Sequence, residues 1–166
     1  MNHSSRELNI GRAGQFLTLF DLLKRGINAF STDEGMNYDV VAELDGHLVK
    51  IQVKTTQKTR LHTKQSKNPV HLFHVRRAGK GESRMYQAGE FDGFALVALD
   101  LKEVFYMPFD DGTKGTILLR DKKIKYGRGD NWVRKGIYYQ DLTWDKFCDV
   151  IRDRYDRIVA TNQKPR

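Results

Sequence analysis

The sequence predicts an α/β fold in which one mixed β-sheet is flanked by helices. Apolar residues recur at helical spacing near both ends of the chain, and the residues between them form short alternating or continuous apolar runs bounded by turn residues. The order of helix, strands and helix is typical of a mixed sheet with flanking helices. At 166 residues we expect one domain over 1–166, with flexible tails at 1–5 and 161–166.

The first helix is predicted over Glu7 to Lys24, and Gly26 stops it. Its helical spacing comes from Ile10, Ala13, Leu17, Phe20 and Leu23. Gly11 and Gly14 lower the helix propensity, which indicates a close approach of this helix to the sheet or to a ligand.

A β-hairpin is predicted around Asp45-Gly46, because a two-residue type I′ turn needs positive φ at both positions. The turn sets the register by arithmetic, so that Leu44 faces His47, Ala42 faces Val49, Val40 faces Ile51 and Tyr38 faces Val53. These side chains form one mostly apolar face. On the other face Asp39 lies across from Gln52, and Lys54 is one diagonal step away. A carboxylate, an amide and an ammonium group therefore converge at the open end of the hairpin.

The remaining elements follow from shorter patterns. Strands are predicted at Ile27–Phe30, Val70–Val75, Phe94–Leu99, Val104–Pro108 and Thr116–Leu119. Thr143 is an N-cap for the last helix, whose core stripe is Trp144, Phe147, Ile151, Tyr155 and Ile158. His71 and His74 lie three residues apart on a strand and point to opposite faces, which argues against a zinc pair.

Asp39 on one strand and Gln52-Val53-Lys54 on the next resemble the core motif of the PD-(D/E)XK nucleases, in its Gln-containing form. The flanking segments are similar to those of group I intron homing endonucleases and archaeal Holliday junction resolvases. They are Gly11-Arg12-Ala13-Gly14-Gln15, Leu22-Leu23-Lys24-Arg25-Gly26, Gly89-Glu90-Phe91-Asp92-Gly93 and Val104-Phe105-Tyr106-Met107-Pro108-Phe109. The resemblance covers about two-thirds of the chain. It implies a restriction-endonuclease-like sheet and a metal-dependent endonuclease acting on double-stranded DNA.

The resemblance also implies the roles of the site residues. Asp39, Gln52, Lys54 and Gln15 would be the catalytic residues. Asp39, the Gln52 amide oxygen and the Val53 carbonyl would bind Mg²⁺, with Mn²⁺ as a substitute. Lys54 would orient or deprotonate the attacking water, or stabilise charge on the phosphate.

Gln15 departs from the family pattern, because relatives carry Glu at this position of the first helix. Mg²⁺ prefers carboxylate oxygens, so an anionic ligand is lost. Three explanations stay open: a weakened natural variant, an engineered inactive form, or replacement by another acid such as Glu7 or Glu34. The alternative functions are therefore a Holliday junction resolvase and a DNA-binding protein with weakened catalysis.

The net charge of +8 indicates a polyanionic partner. Between Lys50 and Arg84 there are ten basic residues and one acidic residue, and the rest of the chain is nearly balanced. The predicted DNA-binding residues are Lys58, Arg60, Lys64, Lys67, Arg76, Arg77, Lys80 and Arg84. A charge run of this kind is also typical of a solvated surface, but this one begins inside the predicted site.

Cutting both strands of DNA requires two active sites, so we expect a homodimer or homotetramer. The single Cys148 predicts a packed thiol in a reducing compartment. No long apolar segment or signal peptide is evident, and we therefore expect a cytoplasmic protein without membrane contact.

Overall fold

The computed structural model describes residues 3–33, 35–76, 85–110, 112–113, 115–124, 126 and 136–162. In chain order the elements are α1 (His3–Lys24), β1 (Ala29–Ser31), β2 (Val40–Leu44), β3 (His47–Thr56), β4 (His71–His74), β5 (Gly93–Ala98), β6 (Glu103–Pro108), β7 (Thr116–Arg120), β8 (Ile137–Tyr138), a short 3-10 helix (Tyr139–Asp141) and α2 (Trp144–Asn162). Helix α1 thus begins four residues before its predicted start. Neither helix in these ranges combines the length and the apolarity needed to cross a membrane.

The strands form two sheets rather than the single sheet predicted. The larger sheet has the order β1-β2-β3-β5-β6, and it is mixed because β3 and β5 pair in parallel while their neighbours are antiparallel. The smaller sheet has the order β4-β7-β8. An alternating pattern predicts a strand and its buried face but does not identify its partner, and β4 follows a long polar segment. The α/β class with mixed sheets and flanking helices is confirmed.

Strand β5 separates two apolar cores. Ala95 and Val97 face the core that the helices cover, whereas Phe94, Leu96 and Ala98 face the core beneath the smaller sheet. All six residues of β5 are buried, as the continuous apolar run predicts for a strand covered on both faces. Strand β6, whose run is also mostly apolar, lies at an edge of the larger sheet, where α2 packs against it.

The buried face of α1 differs from the predicted one. Thr18 and Leu22 are fully buried, whereas Phe20 and Leu23 of the predicted stripe are exposed by 61% and 56%. Apolar residues occur on two sides of this helix, so their spacing predicts a helix without identifying the side that packs.

The packing of α1 on the larger sheet depends on small residues of the helix. A Cβ atom added to Gly14 would lie 1.8 Å from Thr55 Oγ1 in β3, whereas one added to Gly11 would meet nothing within 4 Å. The Thr18 hydroxyl donates to the Gly14 carbonyl at 2.9 Å. The close approach predicted from the two glycines is therefore confirmed at Gly14 only, and it brings the next residue, Gln15, to the sheet.

The last helix follows its prediction except near its end. The Lys146 N–H donates to Thr143 Oγ1 at 3.4 Å, as expected for the N-cap residue. Ile151 is fully buried, but Ile158 is 56% exposed and does not belong to the core stripe. Cys148 is buried, and this burial raises the pKa of its thiol to about 11, in agreement with a packed thiol.

Candidate active site

The hairpin formed by β2 and β3 has the predicted turn and register. Asp45 and Gly46 have φ values of 50° and 79°, and only such positive angles allow a two-residue turn of this kind. The observed pairs include Leu44 with His47, Ala42 with Val49 and Val40 with Ile51. The hairpin therefore presents Gln52 and Lys54 on the face opposite the core beneath the helices.

The regular pairing of β2 with β3 ends at Val40, the residue that follows Asp39 in the chain. The last pair is Val40 with Ile51, and the Asp39 N–H donates to the Ile51 carbonyl at 2.9 Å. As a result Tyr38 packs against the core beneath the smaller sheet and does not continue the face that includes Val53. The prediction that Tyr38 faces Val53 is wrong, because it extended the ladder beyond its end.

The Asp39 carboxylate connects the first helix to both hairpin strands. Its Oδ1 accepts a hydrogen bond from Gln15 Nε2 at 3.1 Å, and its Oδ2 accepts one from the Val53 N–H at 2.7 Å. Gln52 Nε2 also donates to Oδ2. The side chain thus replaces the missing ladder bond at Val53. Asp39 is in direct contact with Gln15, Gln52 and Val53, and Lys54 acts on it through its positive charge.

Burial raises the pKa of the Asp39 carboxyl. The hydrogen bond from Val53 N–H, the positive charge of Lys54 and the bonds from Gln15 and Gln52 act in the opposite direction, and burial is the larger effect. A further positive charge near this carboxylate would favour its ionised form.

Lys54 is held by an aromatic residue that the sequence did not single out. Its Nζ donates to Tyr86 Oη at 2.7 Å and lies 5.1 Å from the centre of the Tyr86 ring. Burial lowers the pKa of Lys54, and the charge of Asp39 partly opposes this effect. Tyr86 in turn packs edge-on against Phe91 and Phe94. It lies in an irregular segment without apolar periodicity, so no signal in the sequence identified it.

The oxygens around Asp39 fit a hard divalent cation by their chemistry. Within the described ranges no group of three His, Cys, Asp or Glu residues could hold a metal. One carboxylate, the Gln52 amide oxygen and the Val53 carbonyl are nevertheless ligands of the type that Mg²⁺ takes when it keeps several waters. Both amides turn their nitrogens towards Asp39, so these hydrogen bonds would have to rearrange for the oxygens to bind.

These residues line a cleft of about 630 Å³ between α1, β3 and β4. Lys58 and Arg60 of the predicted DNA-binding set also line it, as does Glu7. Lys64, Lys67 and Arg76 are exposed and are not among the residues that line this cleft. Arg77, Lys80, Arg84 and the alternative acid Glu34 lie outside the described residues.

The histidines of β4 occupy different environments, as predicted. His71 is buried, and its Nε2 lies 2.9 Å from Asp100 Oδ1. His74 is at the edge of the cleft, with its Nε2 3.1 Å from Arg60 Nη2. Because a guanidinium group can only donate, His74 Nε2 is the acceptor in this contact. The two rings do not form a metal pair.

Comparison with known proteins agrees with this geometry. The family model described as PD-(D/E)XK endonuclease matches residues 9–134. This range includes all residues of the Asp39 cluster, which are Gln15, Asp39, Gln52, Val53 and Lys54. The chain is similar in fold to the bacterial homing endonuclease I-Ssp6803I, with a TM-score of 0.58 and 18% sequence identity over 74% of this chain and 84% of that one. No curated protein sequence matches the chain. The family model spans most of the sequence, and the chain therefore belongs to the PD-(D/E)XK endonuclease family.

Proposed function

We propose that this protein is a metal-dependent endonuclease that hydrolyses phosphodiester bonds of double-stranded DNA, in the manner of a homing endonuclease. Mg²⁺ would be the cofactor, with Mn²⁺ as a substitute. The observation that carries the proposal is the contact of Asp39 with Gln15 and Gln52 beside the partly buried Lys54, in a cleft that also includes two basic residues.

The residues of the cleft would each have a separate role at the phosphate that is cleaved. Asp39, Gln52 and the Val53 carbonyl would hold the cation, which when bound neutralises phosphate charge and makes water more acidic. Lys54, whose pKa burial lowers, would orient the attacking water or donate to a phosphate oxygen. Tyr86 would keep the Lys54 ammonium group in position through its hydroxyl. Lys58 and Arg60 would bind neighbouring phosphates.

The proposed function is tested with a supercoiled plasmid and a four-way junction, each incubated with MgCl₂ or with EDTA. We expect nicked and linear plasmid with MgCl₂ only. Cleavage confined to the junction would indicate a resolvase. Duplex binding that weakens steeply with salt, without cleavage in MgCl₂, would contradict the enzymatic function and favour a DNA-binding protein.

Weakened catalysis is the second candidate, and the bond between Gln15 and Asp39 is the observation that favours it. An ionised Glu at this position would add a carboxylate for the cation, whereas the Gln15 amide donates to Asp39 and stabilises the site without a metal. Gln15 would therefore lower the affinity of the site for Mg²⁺ while it preserves the local structure.

The Gln15→Glu substitution separates these possibilities. Two adjacent carboxylates repel each other, so we expect the variant to melt at a lower temperature without metal and to gain more from Mg²⁺ than the wild type does. Half-maximal cleavage should need about tenfold less Mg²⁺. Melting curves and plasmid cleavage across a MgCl₂ titration measure both effects.

Gln57→Glu is the matched control, because Gln57 lines the same cleft and the substitution adds the same charge. It should leave the half-maximal Mg²⁺ concentration unchanged. An unchanged Mg²⁺ requirement in the Gln15→Glu variant would show that position 15 does not contribute to the cation site.

A further part of the proposal concerns assembly. Breaking both strands of a duplex at one location requires two copies of the Asp39 cluster, since the described residues contain one. We therefore propose that the active form is at least a dimer, either a homodimer or a homotetramer.

A further inference from the structure

The face of the larger sheet that carries the site is covered on one side only. Phe30 of β1, Val41 of β2 and Lys50 of β3 are paired across the strands, so their side chains point to the same face. Gln52 points to that face as well, because it is two residues from Lys50 on β3. The smaller sheet covers this face over β5. Within the described part of the chain, the same face over β1 and β2 is open to solvent and forms a pocket.

This sheet pocket has a volume of about 300 Å³ and a mainly apolar lining. Three large apolar side chains that line it are exposed, Phe30, Met36 and Leu48, by 54%, 57% and 58%. Its charged lining residues among those described are one cation and one carboxylate, Lys50 and Asp33. Because these charges balance, the pocket is not a phosphate site of the kind that the neighbouring basic cleft provides. Its chemistry fits an uncharged, largely apolar group.

Hydrogen bonds join the sheet pocket to the Asp39 cluster. Thr32, which lines the pocket, donates from its N–H to the Asp39 carbonyl at 3.0 Å and from its hydroxyl to the Tyr38 carbonyl at 2.5 Å. Along β3, two residues separate Lys50 from Gln52 by about 7 Å. Successive bases of one DNA strand are about 3.4 Å apart along the duplex axis. The pocket therefore lies within about two nucleotides of a phosphate bound at the cluster.

We propose that the sheet pocket binds one unpaired nucleobase of the DNA substrate, next to the phosphate that is cleaved. This inference rests on the proposed function, because it takes DNA as the substrate. An intact duplex cannot fill the pocket, since a compact space of this volume is only about 7 Å across and paired bases present recessed edges in grooves. A base that has left the stack is a single planar ring system, and such a group can enter.

The lining supplies the contacts that one nucleotide needs. Lys50 Nζ lies 5.6 Å from the centre of the Tyr38 ring, so this cation occupies the face of Tyr38 and leaves the exposed Phe30 ring for stacking. The Lys50 ammonium group would bind the phosphate of the same nucleotide. Its backbone is fixed, because the Lys50 N–H donates to Asp92 Oδ2 at 2.7 Å and its carbonyl accepts from the Asp92 N–H at 2.8 Å.

A base pocket beside the site would change which DNA the protein prefers. Extrusion of a base from an intact duplex costs free energy, whereas a bulged base is already unpaired. Stacking of that base on an aromatic ring then adds to the affinity. We therefore expect DNA with one bulged base to bind about tenfold more tightly than the perfect duplex of the same sequence.

Fluorescence anisotropy in EDTA tests this preference with two labelled duplexes, one perfect and one with a single bulged thymine. Phe30→Ala should reduce the preference of the wild type from about tenfold to less than about twofold and leave the affinity for the perfect duplex nearly unchanged. Phe20→Ala is the matched control, because Phe20 is an exposed phenylalanine of α1 that does not line the pocket, and it should keep the preference. Circular dichroism spectra and melting temperatures establish that each variant is folded.

Photochemical cross-linking locates the bound base. The bulged thymine is replaced by 5-iodouracil, whose C–I bond breaks under ultraviolet light, and the ring carbon then bonds to an aromatic side chain with loss of HI. We expect the cross-link at Phe30 or Tyr38, which mass spectrometry would find in the tryptic peptide 26–50. The same base in a perfect duplex is the control, and it should give no cross-link in this peptide.

Equal affinities of the wild type for the two duplexes would overturn the inference and leave an apolar protein segment as the occupant of the pocket. A preference that Phe30→Ala retains, or a cross-link outside the pocket, would overturn it as well. None of these measurements uses cleavage, so a failure of the proposed nuclease function would appear separately in the plasmid assay. A protein that bound neither duplex would contradict both the base pocket and the DNA substrate.

Discussion

Replacement of Asp39 by Asn is expected to slow DNA cleavage severely while the fold and duplex binding persist. Asn keeps the shape of the side chain and an oxygen that can accept the Val53 N–H, which Asp39 now binds at 2.7 Å. Among the described residues it removes the one carboxylate in contact with Gln15 and Gln52, and with it the charge that would hold a cation. A loss of about 3–4 kcal/mol of transition-state stabilisation corresponds to a rate about 10²–10³-fold lower.

Initial rates of plasmid nicking in MgCl₂ measure this loss, and fluorescence anisotropy with a labelled duplex measures binding. Asp33→Asn is a suitable control, because Asp33 is exposed in the segment before Asp39 and its substitution changes the net charge equally. A variant at position 39 that still cut at a rate close to that of the wild type would refute the assignment of the site to this cluster.

Gly14→Ala is expected to destabilise the protein by about 1–3 kcal/mol, although Ala favours helices by about 1 kcal/mol over Gly. The new Cβ would lie 1.8 Å from Thr55 Oγ1 and 2.9 Å from Thr55 Cβ. Rotation of the Thr55 side chain can remove the first contact but not the second, so α1 must move away from β3. Gln15 would move with it, and cleavage should fall as well. Urea unfolding monitored by circular dichroism measures the change in free energy.

Gly11→Ala provides the matched control for Gly14. The same helix carries both glycines, but a Cβ at position 11 would meet nothing within 4 Å. This control should stabilise the protein by up to about 1 kcal/mol. In a double-mutant cycle, Gly14→Ala should cost less in a Thr55→Gly background. Equal stability changes at positions 11 and 14 would mean that α1 does not approach β3 closely.

The parts of the site that were predictable are those that local chemistry determines. A two-residue Asp45-Gly46 turn allows essentially one geometry, so counting from it correctly predicted the strand pairs from Leu44 with His47 to Val40 with Ile51. The contact of Asp39 with Gln52 followed from the same count, even though the regular ladder ends at Val40. Here side-chain hydrogen bonds continue the alignment that backbone pairing began.

The parts that were missed depend on contacts between distant segments. The packing side of α1 depends on a fit between Gly14 and Thr55, which no periodicity reveals when apolar residues occupy both sides of a helix. Tyr86 reaches Lys54 across 32 positions of sequence from an irregular segment. Likewise, the alternation in β4 predicted a strand, whereas its place in a separate sheet depends on pairing with β7.

The order of the chain separates the proposed catalytic residues from the central strand β5. Gln15, Asp39, Gln52 and Lys54 all precede β5, which pairs in parallel with β3 from Ile51 to Thr56. During translation the reactive side chains therefore leave the ribosome before the strand that encloses them. Because parallel pairing requires this later strand, a nascent chain that ends before residue 93 would contain the entire motif without the strand that pairs beside it. Hydrolytic competence would then arise only late in synthesis, when folding of the central sheet is complete.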